Sequence, residues 1–129
     1  MLVDDSSAIR EVLRACLQSL KVRVIEAASP IEAIIISNSH SQNIDLLFTD
    51  IDMSGGSGWK VAKEIASLRP GIHILFMSGG ITRAEWENQD NKPSRSYFIQ
   101  KPFRLEELNS TLNFIFSSLG DLQDADTKK

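Results

Sequence analysis

Short apolar runs alternate with helical patterns along nearly the whole chain. The apolar runs predict strands at about residues 2–3, 22–25, 44–49, 72–77 and 97–100. The regularly spaced apolar residues between them predict helices at about residues 7–20, 30–38, 58–68 and 103–119, with at most a short helix at 82–88. A chain in which helices follow strands in this way favours a parallel sheet with right-handed crossovers and helices on both faces.

Several predicted helices carry clear boundary signals. Ser29 and Pro30, with Glu32 close behind, are typical of a helix start. Pro70 and Gly71 predict the end of the third helix. The first helix has an apolar stripe that we expect to face the core, formed by Ile9, Val12, Leu13, Cys16, Leu17 and Leu20. Cys16 is therefore interpreted as a small core residue and not as a reactive thiol.

Length and composition indicate one folded domain. The 129 residues are 42% hydrophobic and 24% charged, which is typical of a globular protein. We expect this domain at residues 1–119 and a polar C-terminal tail at residues 120–129. The net charge of -3 gives no reason to expect nucleic-acid binding, and no apolar stretch approaches the ~20 residues of a membrane helix. A single cysteine and the lack of a signal-peptide pattern favour a cytoplasmic location.

Polar side chains follow four of the predicted strands. Asp50 closes the apolar run of the third strand, and Asp4 and Asp5 follow the first. Ser78 and Lys101 follow the fourth and fifth strands. Because the carboxyl ends of parallel strands meet at one edge of a sheet, we expect three carboxylates, a hydroxyl and an ammonium to come together there.

This set of groups suits a magnesium ion and a phosphoryl group. Carboxylates held close together repel one another unless a cation lies among them, and Mg²⁺ binds oxygen ligands, phosphate oxygens included. Asp50 could act as a nucleophile toward phosphorus. Lys101 and Ser78 could stabilise the negative charge that spreads over the phosphoryl oxygens in the transition state. The sequence contains no Walker P-loop for a nucleotide donor.

Four motifs resemble those of the receiver (response regulator) domain of two-component signalling. They are Val3-Asp4-Asp5-Ser6, Leu47-Phe48-Thr49-Asp50-Ile51-Asp52-Met53, Met77-Ser78-Gly79 and Phe98-Ile99-Gln100-Lys101-Pro102-Phe103. The motifs occur in the order and at about the spacing of that family, and the resemblance runs from about residue 2 to residue 119. It implies an α/β, flavodoxin-like (βα)5 fold, a doubly wound parallel sheet with strand order 2-1-3-4-5.

The resemblance also implies roles for the acidic residues. Asp50 would be the phosphoacceptor that takes a phosphoryl group from a phosphohistidine. Asp5 and Asp50 would bind Mg²⁺ through their side chains, Asp52 through its backbone carbonyl, and Asp4 mainly through water. The side chain of Asp52 either faces solvent beside the pocket or tunes hydrolysis of the phosphoryl group.

The remaining motif residues resemble a switch. Ser78 matches the family's switch hydroxyl, Lys101 its phosphate-pairing lysine, and Phe98 its aromatic rotamer switch, although Phe98 is equally compatible with ordinary packing. The peptide bond between Lys101 and Pro102 would be cis.

The implied partner is a histidine kinase or a histidine phosphotransfer protein. The chain would then be a signalling switch that catalyses only its own phosphotransfer and slow autodephosphorylation. A homodimer through the fourth helix, fifth strand and fifth helix is left open, whereas direct nucleic-acid binding and membrane insertion are not expected. Ser54 replaces the family's usual proline, so the loop after Asp50 is expected to be more mobile. The glycine-rich composition of residues 54–58 suggests the variants found in hybrid histidine kinases and in stand-alone receivers.

Two other functions fit parts of the pattern. The segment from Phe48 to Ser54 also resembles the first motif of haloacid dehalogenase-like phosphotransferases and phosphatases, in which Asp52 would be the general acid. The motif order argues against this class, because its paired aspartates come last whereas Asp4 and Asp5 come first. The other alternative is a binding module that works without phosphorylation.

Overall fold

A computed structural model describes residues 1–53 and 56–127 of the chain, with side chains through residue 117. The elements in chain order are β1 (Leu2–Val3), α1 (Ser7–Ser19), β2 (Glu26–Ala27), α2 (Pro30–Ser39), β3 (Leu46–Asp50), β4 (Asp52–Met53), β5 (Gly56–Ser57), α3 (Gly58–Leu68), β6 (His73–Ser78), α4 (Arg83–Glu87), β7 (Ser96–Gln100) and α5 (Leu105–Thr127).

Five of the strands form one parallel sheet in the order β2-β1-β3-β6-β7. When the small β4-β5 hairpin is set aside, this is the predicted 2-1-3-4-5 order, and the flavodoxin-like fold is confirmed. In this register Val3 lies beside Thr49, and Asp50 lies beside Met77. The carboxyl ends of β1, β3 and β6 therefore lie side by side, at the point where the strand order reverses.

Alternating residues of the central strands enter two separate cores. On one face, Leu47 and Phe76 pack with buried residues of α2, α3 and α4. On the other face, Phe48 and Leu75 pack with buried residues of α1 and α5. Because both faces of the sheet are covered, β3 and β6 are buried along their whole length, which explains why they read as continuous apolar runs.

Serine side chains cap the starts of three helices. The side chains of Ser6, Ser29 and Ser57 accept backbone amide hydrogen bonds at the starts of α1, α2 and α3. The short α4 begins after Thr82, which forms a reciprocal capping box with Glu85. The prediction of only a short helix in this region is confirmed.

The second strand was predicted in the wrong place. It lies at Glu26–Ala27 and not at residues 22–25, because β1, its neighbour in the described sheet, offers just Leu2 and Val3 for pairing. Val22 and Val24 still pack against the core, as partly buried side chains outside the ladder. The antiparallel pair of β4 and β5 was not predicted, because two-residue strands leave no periodic signal.

The predicted apolar stripe of the first helix is wider than the face that is buried. Val12 in α1 is 58% exposed and Ile9 is 38% exposed. Leu13 and Leu17 are the residues of α1 that are buried. Cys16 is half-buried and packs against the core, as predicted.

The C-terminal helix continues to Thr127 instead of ending at about residue 119. The division into a domain and a polar tail stays a prediction, and Lys128 and Lys129 lie outside the described residues. Ser54 and Gly55 also lie outside them, so the expected mobility of that loop is a prediction too. None of the described helices has the length and apolar character needed to cross a bilayer.

Candidate functional site

The predicted site residues converge at the carboxyl edge of the sheet. Asp4 follows β1, Asp50 ends β3, Ser78 ends β6, and Lys101 follows β7. Asp4, Asp50 and Ser78 are buried, whereas Asp5 is exposed. The sheet register places them together, because β1, β3 and β6 are adjacent strands and β7 is the next one.

Asp50 is held by contacts to both of its carboxylate oxygens. Its Oδ1 accepts the backbone N–H of Asp52 at 3.2 Å, and its Oδ2 accepts a hydrogen bond from Lys101 Nζ at 3.1 Å. Burial raises the pKa of the Asp50 carboxyl above its usual range, and the Lys101 hydrogen bond opposes this rise. Burial of the ionised Asp50 carboxylate therefore costs desolvation free energy, and a cation bound beside it would offset that cost.

Three carboxylates meet at the mouth of this pocket. One carboxylate oxygen from each of Asp4, Asp5 and Asp50 can be chosen so that all lie within 4.8 Å of one another. Asp4 Oδ1 accepts the backbone N–H of Ser6 at 2.8 Å. Asp4 Oδ2 is buried without a hydrogen-bond donor in the described part of the chain, and Lys101 Nζ is 3.7 Å away. A hard cation fits here, because it would neutralise the cluster and satisfy the buried oxygen.

The position of Lys101 is set by its backbone amide and by the peptide bond that follows it. Its amide N–H donates to the Ser78 carbonyl at 2.8 Å, which continues the pairing of β6 and β7. The Lys101-Pro102 bond is cis, as predicted. The ammonium lies between two acidic side chains, 3.1 Å from Asp50 and 3.7 Å from Asp4, with 24% of the Lys101 side chain exposed.

Ser78 is completely buried, and its hydroxyl is fully engaged. Oγ donates to Asp52 Oδ2 at 3.0 Å and accepts the amide N–H groups of Gly80 at 2.9 Å and Ile81 at 3.2 Å. The Asp52 side chain, for which the sequence left two interpretations, is exposed but bonded to this serine. Its backbone carbonyl follows Asp50 by two residues, in the hairpin strand β4.

Phe98, in the edge strand β7, is buried on the face of the sheet that α2, α3 and α4 cover. Its ring stacks on Trp86 with a centroid distance of 5.5 Å, and the Arg83 guanidinium lies 5.6 Å from the ring centroid. Arg83 Nη2 also donates to the Phe98 carbonyl at 3.0 Å. Phe98 thus links the core to the surface helix α4, which is compatible with either packing or switching.

Two glycines shape the pocket, and neither was singled out from the sequence. A Cβ on Gly58 would lie 2.1 Å from the Asp50 carbonyl oxygen, so only glycine lets α3 begin this close to the end of β3. A Cβ on Gly80 would lie 2.7 Å from Asp52 Oδ2, in the space that this carboxylate occupies. Their positions after Ser57 and Gly79 resembled ordinary loop glycines, and only the packing shows the close approaches.

The described site can hold a divalent cation and a phosphoryl group together. Asp4, Asp5 and Asp50 supply anionic oxygens, while Lys101 supplies a fixed positive charge beside Asp50. A buried carboxylate paired with charge-stabilising groups is an arrangement that suits phosphoryl transfer.

Comparison with known proteins agrees with the motif resemblance. Residues 1–113 match the family model described as the response regulator receiver domain. The sensor kinase CckA of Brucella abortus is 32% identical over 114 residues, which cover 87% of this chain but 12% of that protein. The chemotaxis protein CheY of Halobacterium salinarum is 27% identical over 118 residues, covering 92% of this chain and 96% of that protein.

Comparison with solved structures also finds receiver domains. The crystal structure of the receiver domain from the hybrid histidine kinase CckA superposes with a TM-score of 0.73 at 27% identity, covering 88% of this chain and 94% of that one. The chain thus spans a small part of some curated relatives, about an eighth of the Brucella kinase, and nearly all of others.

Proposed function

Because this chain belongs to the response regulator receiver domain family, we propose that it works as a phosphoacceptor switch with Asp50 as the phosphorylated residue. Receiver domains are signalling switches of two-component systems, so the family membership supports this role. The observation that carries the assignment is the position of Asp50. It is a buried carboxylate at the end of β3, 3.1 Å from Lys101 Nζ and grouped with the carboxylates of Asp4 and Asp5.

We propose Mg²⁺ as the cofactor. The side chains of Asp5 and Asp50 would hold the ion, with the backbone carbonyl of Asp52, and Asp4 would act mainly through water. The three clustered carboxylates support this assignment, as does Asp4 Oδ2, which is buried and has no hydrogen-bond donor among the described residues. A bound Mg²⁺ would supply positive charge to the phosphoryl oxygens.

The transfer needs a nucleophile and compensation of charge. A carboxylate oxygen of Asp50 attacks the phosphorus of a phosphohistidine, and the phosphorus–nitrogen bond breaks. The imidazole leaves with the bonding electron pair and takes up a proton, while an acyl phosphate remains on Asp50. Lys101, already beside Asp50 Oδ2, pairs with a phosphoryl oxygen, and the Ser78 hydroxyl donates to another. Phe98 would follow Ser78 and change the surface near α4.

The proposed donor is a histidine kinase or a histidine phosphotransfer protein. Relatives of this chain include receivers within sensor kinases and a stand-alone chemotaxis protein, so both arrangements occur among them. A homodimer stays a prediction. Turnover of a separate substrate, as in the dehalogenase-like alternative, has no support from the family match, and we propose that the chain's catalysis is limited to its own phosphorylation and dephosphorylation.

The direct test is phosphorylation by acetyl phosphate with Mg²⁺, followed by intact mass spectrometry. The wild-type protein should gain one phosphoryl group that is labile in alkali and is not added when EDTA is present. Asp50→Asn should gain none. Asp45→Asn is the matched control, because Asp45 is an exposed residue that directly precedes the same strand, at the end opposite Asp50. Equal modification of Asp50→Asn and the wild type would refute the assignment.

A further inference from the structure

We propose that Asp52 holds the Ser78 hydroxyl in the resting state and so restrains the switch. The proposal rests on the proposed function of Asp50 and identifies a positioning residue for it. A hydroxyl has one proton to donate, and in the resting structure that proton goes to Asp52 Oδ2 at 3.0 Å. Ser78 can therefore donate to a phosphoryl oxygen on Asp50 only after its bond to Asp52 has broken.

The other contacts of Ser78 reinforce this arrangement. Its oxygen accepts the N–H groups of Gly80 and Ile81, so the hydroxyl has its donor and both lone pairs occupied. The acceptor is a carboxylate, and a hydrogen bond to a charged group is stronger than one between neutral groups. The resting position of the hydroxyl is therefore stabilised by three contacts, of which the one to Asp52 opposes its transfer most directly.

The chain is also shaped around the Asp52 carboxylate. Gly80 leaves open the space in which Asp52 Oδ2 lies, because a Cβ there would be 2.7 Å from that oxygen. The backbone N–H of Asp52 donates to Asp50 Oδ1 at 3.2 Å, so the same residue contacts the phosphoacceptor and the switch serine. Asp52 is thus placed to couple the phosphorylation of Asp50 to the position of the Ser78 hydroxyl.

The test uses beryllofluoride, a mimic of the phosphoryl group, with Mg²⁺ and the full chain. Four proteins are compared by calorimetric titration: the wild type, Asp52→Ala, Ser78→Ala and the double variant. We expect Asp52→Ala to tighten binding about tenfold when Ser78 is present, since a hydrogen bond to a charged acceptor no longer has to be broken. In the Ser78→Ala background the same change should have at least fivefold less effect, because only charge repulsion is then relieved.

A second variant reaches the same contact from the other side. Gly80→Ala should displace the Asp52 carboxylate and tighten beryllofluoride binding in the same direction. Gly79→Ala is the matched control, since its Cβ would find its nearest neighbour at an ordinary 3.7 Å. An equal effect of Asp52→Ala with and without the serine hydroxyl would show simple charge repulsion and overturn the proposal, as would the absence of any effect.

A readout without a phosphoryl group separates this proposal from the proposed function. Urea unfolding of the same four proteins in EDTA should give a non-zero coupling between Asp52 and Ser78 in the resting state. If beryllofluoride binds Asp50→Asn as well as the wild type, the assignment of Asp50 fails, yet this coupling still measures the Asp52–Ser78 contact. A coupling of zero would overturn the resting-state restraint whatever the outcome at Asp50.

Discussion

Substitution of Gly58 by alanine tests the close packing of α3 against the phosphoacceptor strand. An added Cβ would lie 2.1 Å from the Asp50 carbonyl oxygen and 2.9 Å from Ile51 Cα. Non-bonded heavy atoms pack at about 3.5–4.0 Å, so the helix start or the end of β3 must shift by roughly 1.5 Å. Both obstacles are backbone atoms, which cannot rotate away as a side chain could.

Two opposing effects set the change in the free energy of unfolding that we expect for Gly58→Ala. Overpacking of this kind costs about 1–3 kcal/mol, and the rigid backbone on both sides favours the upper part of this range. Alanine regains up to about 1 kcal/mol over glycine through its helix propensity. We therefore expect the free energy of unfolding to fall by about 2 kcal/mol. For a domain of this size that corresponds to a Tm lower by roughly 8 °C.

The assay is urea and thermal unfolding of Gly58→Ala beside Gly79→Ala. The control adds the same methyl group near the same pocket, but its nearest contact would be an ordinary 3.7 Å. Because the clash involves the Asp50 carbonyl, phosphorylation by acetyl phosphate should also be slower in Gly58→Ala than in the control. If the two variants were equally stable and equally reactive, the inferred contact between α3 and β3 would be wrong.

Three further predictions concern the carboxylates and the aromatic core. In metal-free buffer at neutral pH, Asp50→Asn should raise the Tm whereas Asp45→Asn should not, because burial raises the pKa of the Asp50 carboxyl and the fold must hold its charged form. The folded pKa lies above the unfolded value of 3.8, so between these two pKa values the folded state binds more protons than the unfolded state. The contribution of Asp50 to stability therefore falls as the pH rises through this window, and the gain in Asp50→Asn should shrink as the pH is lowered toward 3.8. A gain that grew on acidification would contradict this reasoning. Mg²⁺ at a hundred times its Kd should raise the free energy of unfolding of the wild type by about 2.7 kcal/mol. At the same Mg²⁺ concentration the rise should be smaller for Asp5→Asn, and equal rises in the two proteins would show that Asp5 is not a metal ligand. Phe98→Ala should lower the free energy of unfolding, measured in urea, by about 3–5 kcal/mol. Phe114→Ala should lower it much less, because Phe114 is 64% exposed, and similar losses in the two variants would mean that Phe98 is not a core residue.

Most of the fold could be predicted because its signals are local. Caps such as Ser29 and Thr82 mark helix starts through contacts with residues only a few positions away. The two strands buried on both faces, β3 and β6, appear as unbroken apolar runs. The second strand was misplaced because an edge strand is defined by its partner, and β1 offers only two residues for pairing.

The candidate site was predictable as a set of residues but not as a set of contacts. The ends of the strands indicated Asp4, Asp50, Ser78 and Lys101, and the parallel order implied that they would meet. The bond between Ser78 and Asp52 was not predictable, because the two residues lie on different elements and the exposed carboxylate could equally face solvent. Gly58 was overlooked for the same reason, since its importance depends on the Asp50 carbonyl, which the fold brings beside it.

The sequence was sufficient to predict the order of the five strands of the main sheet and their helices, the class of fold and the chemical groups at the strand ends. These properties depend on periodicity, on capping and on residue type, all of which act over a few neighbouring residues. The packed structure was needed to show which carboxylates cluster, which oxygen of Asp4 is buried without a donor among the described residues, and which acceptor takes the Ser78 proton. Hydrogen bonds and burial act over a few ångströms in space, and residues far apart in the chain come within that range only when the sheet and its helices have packed.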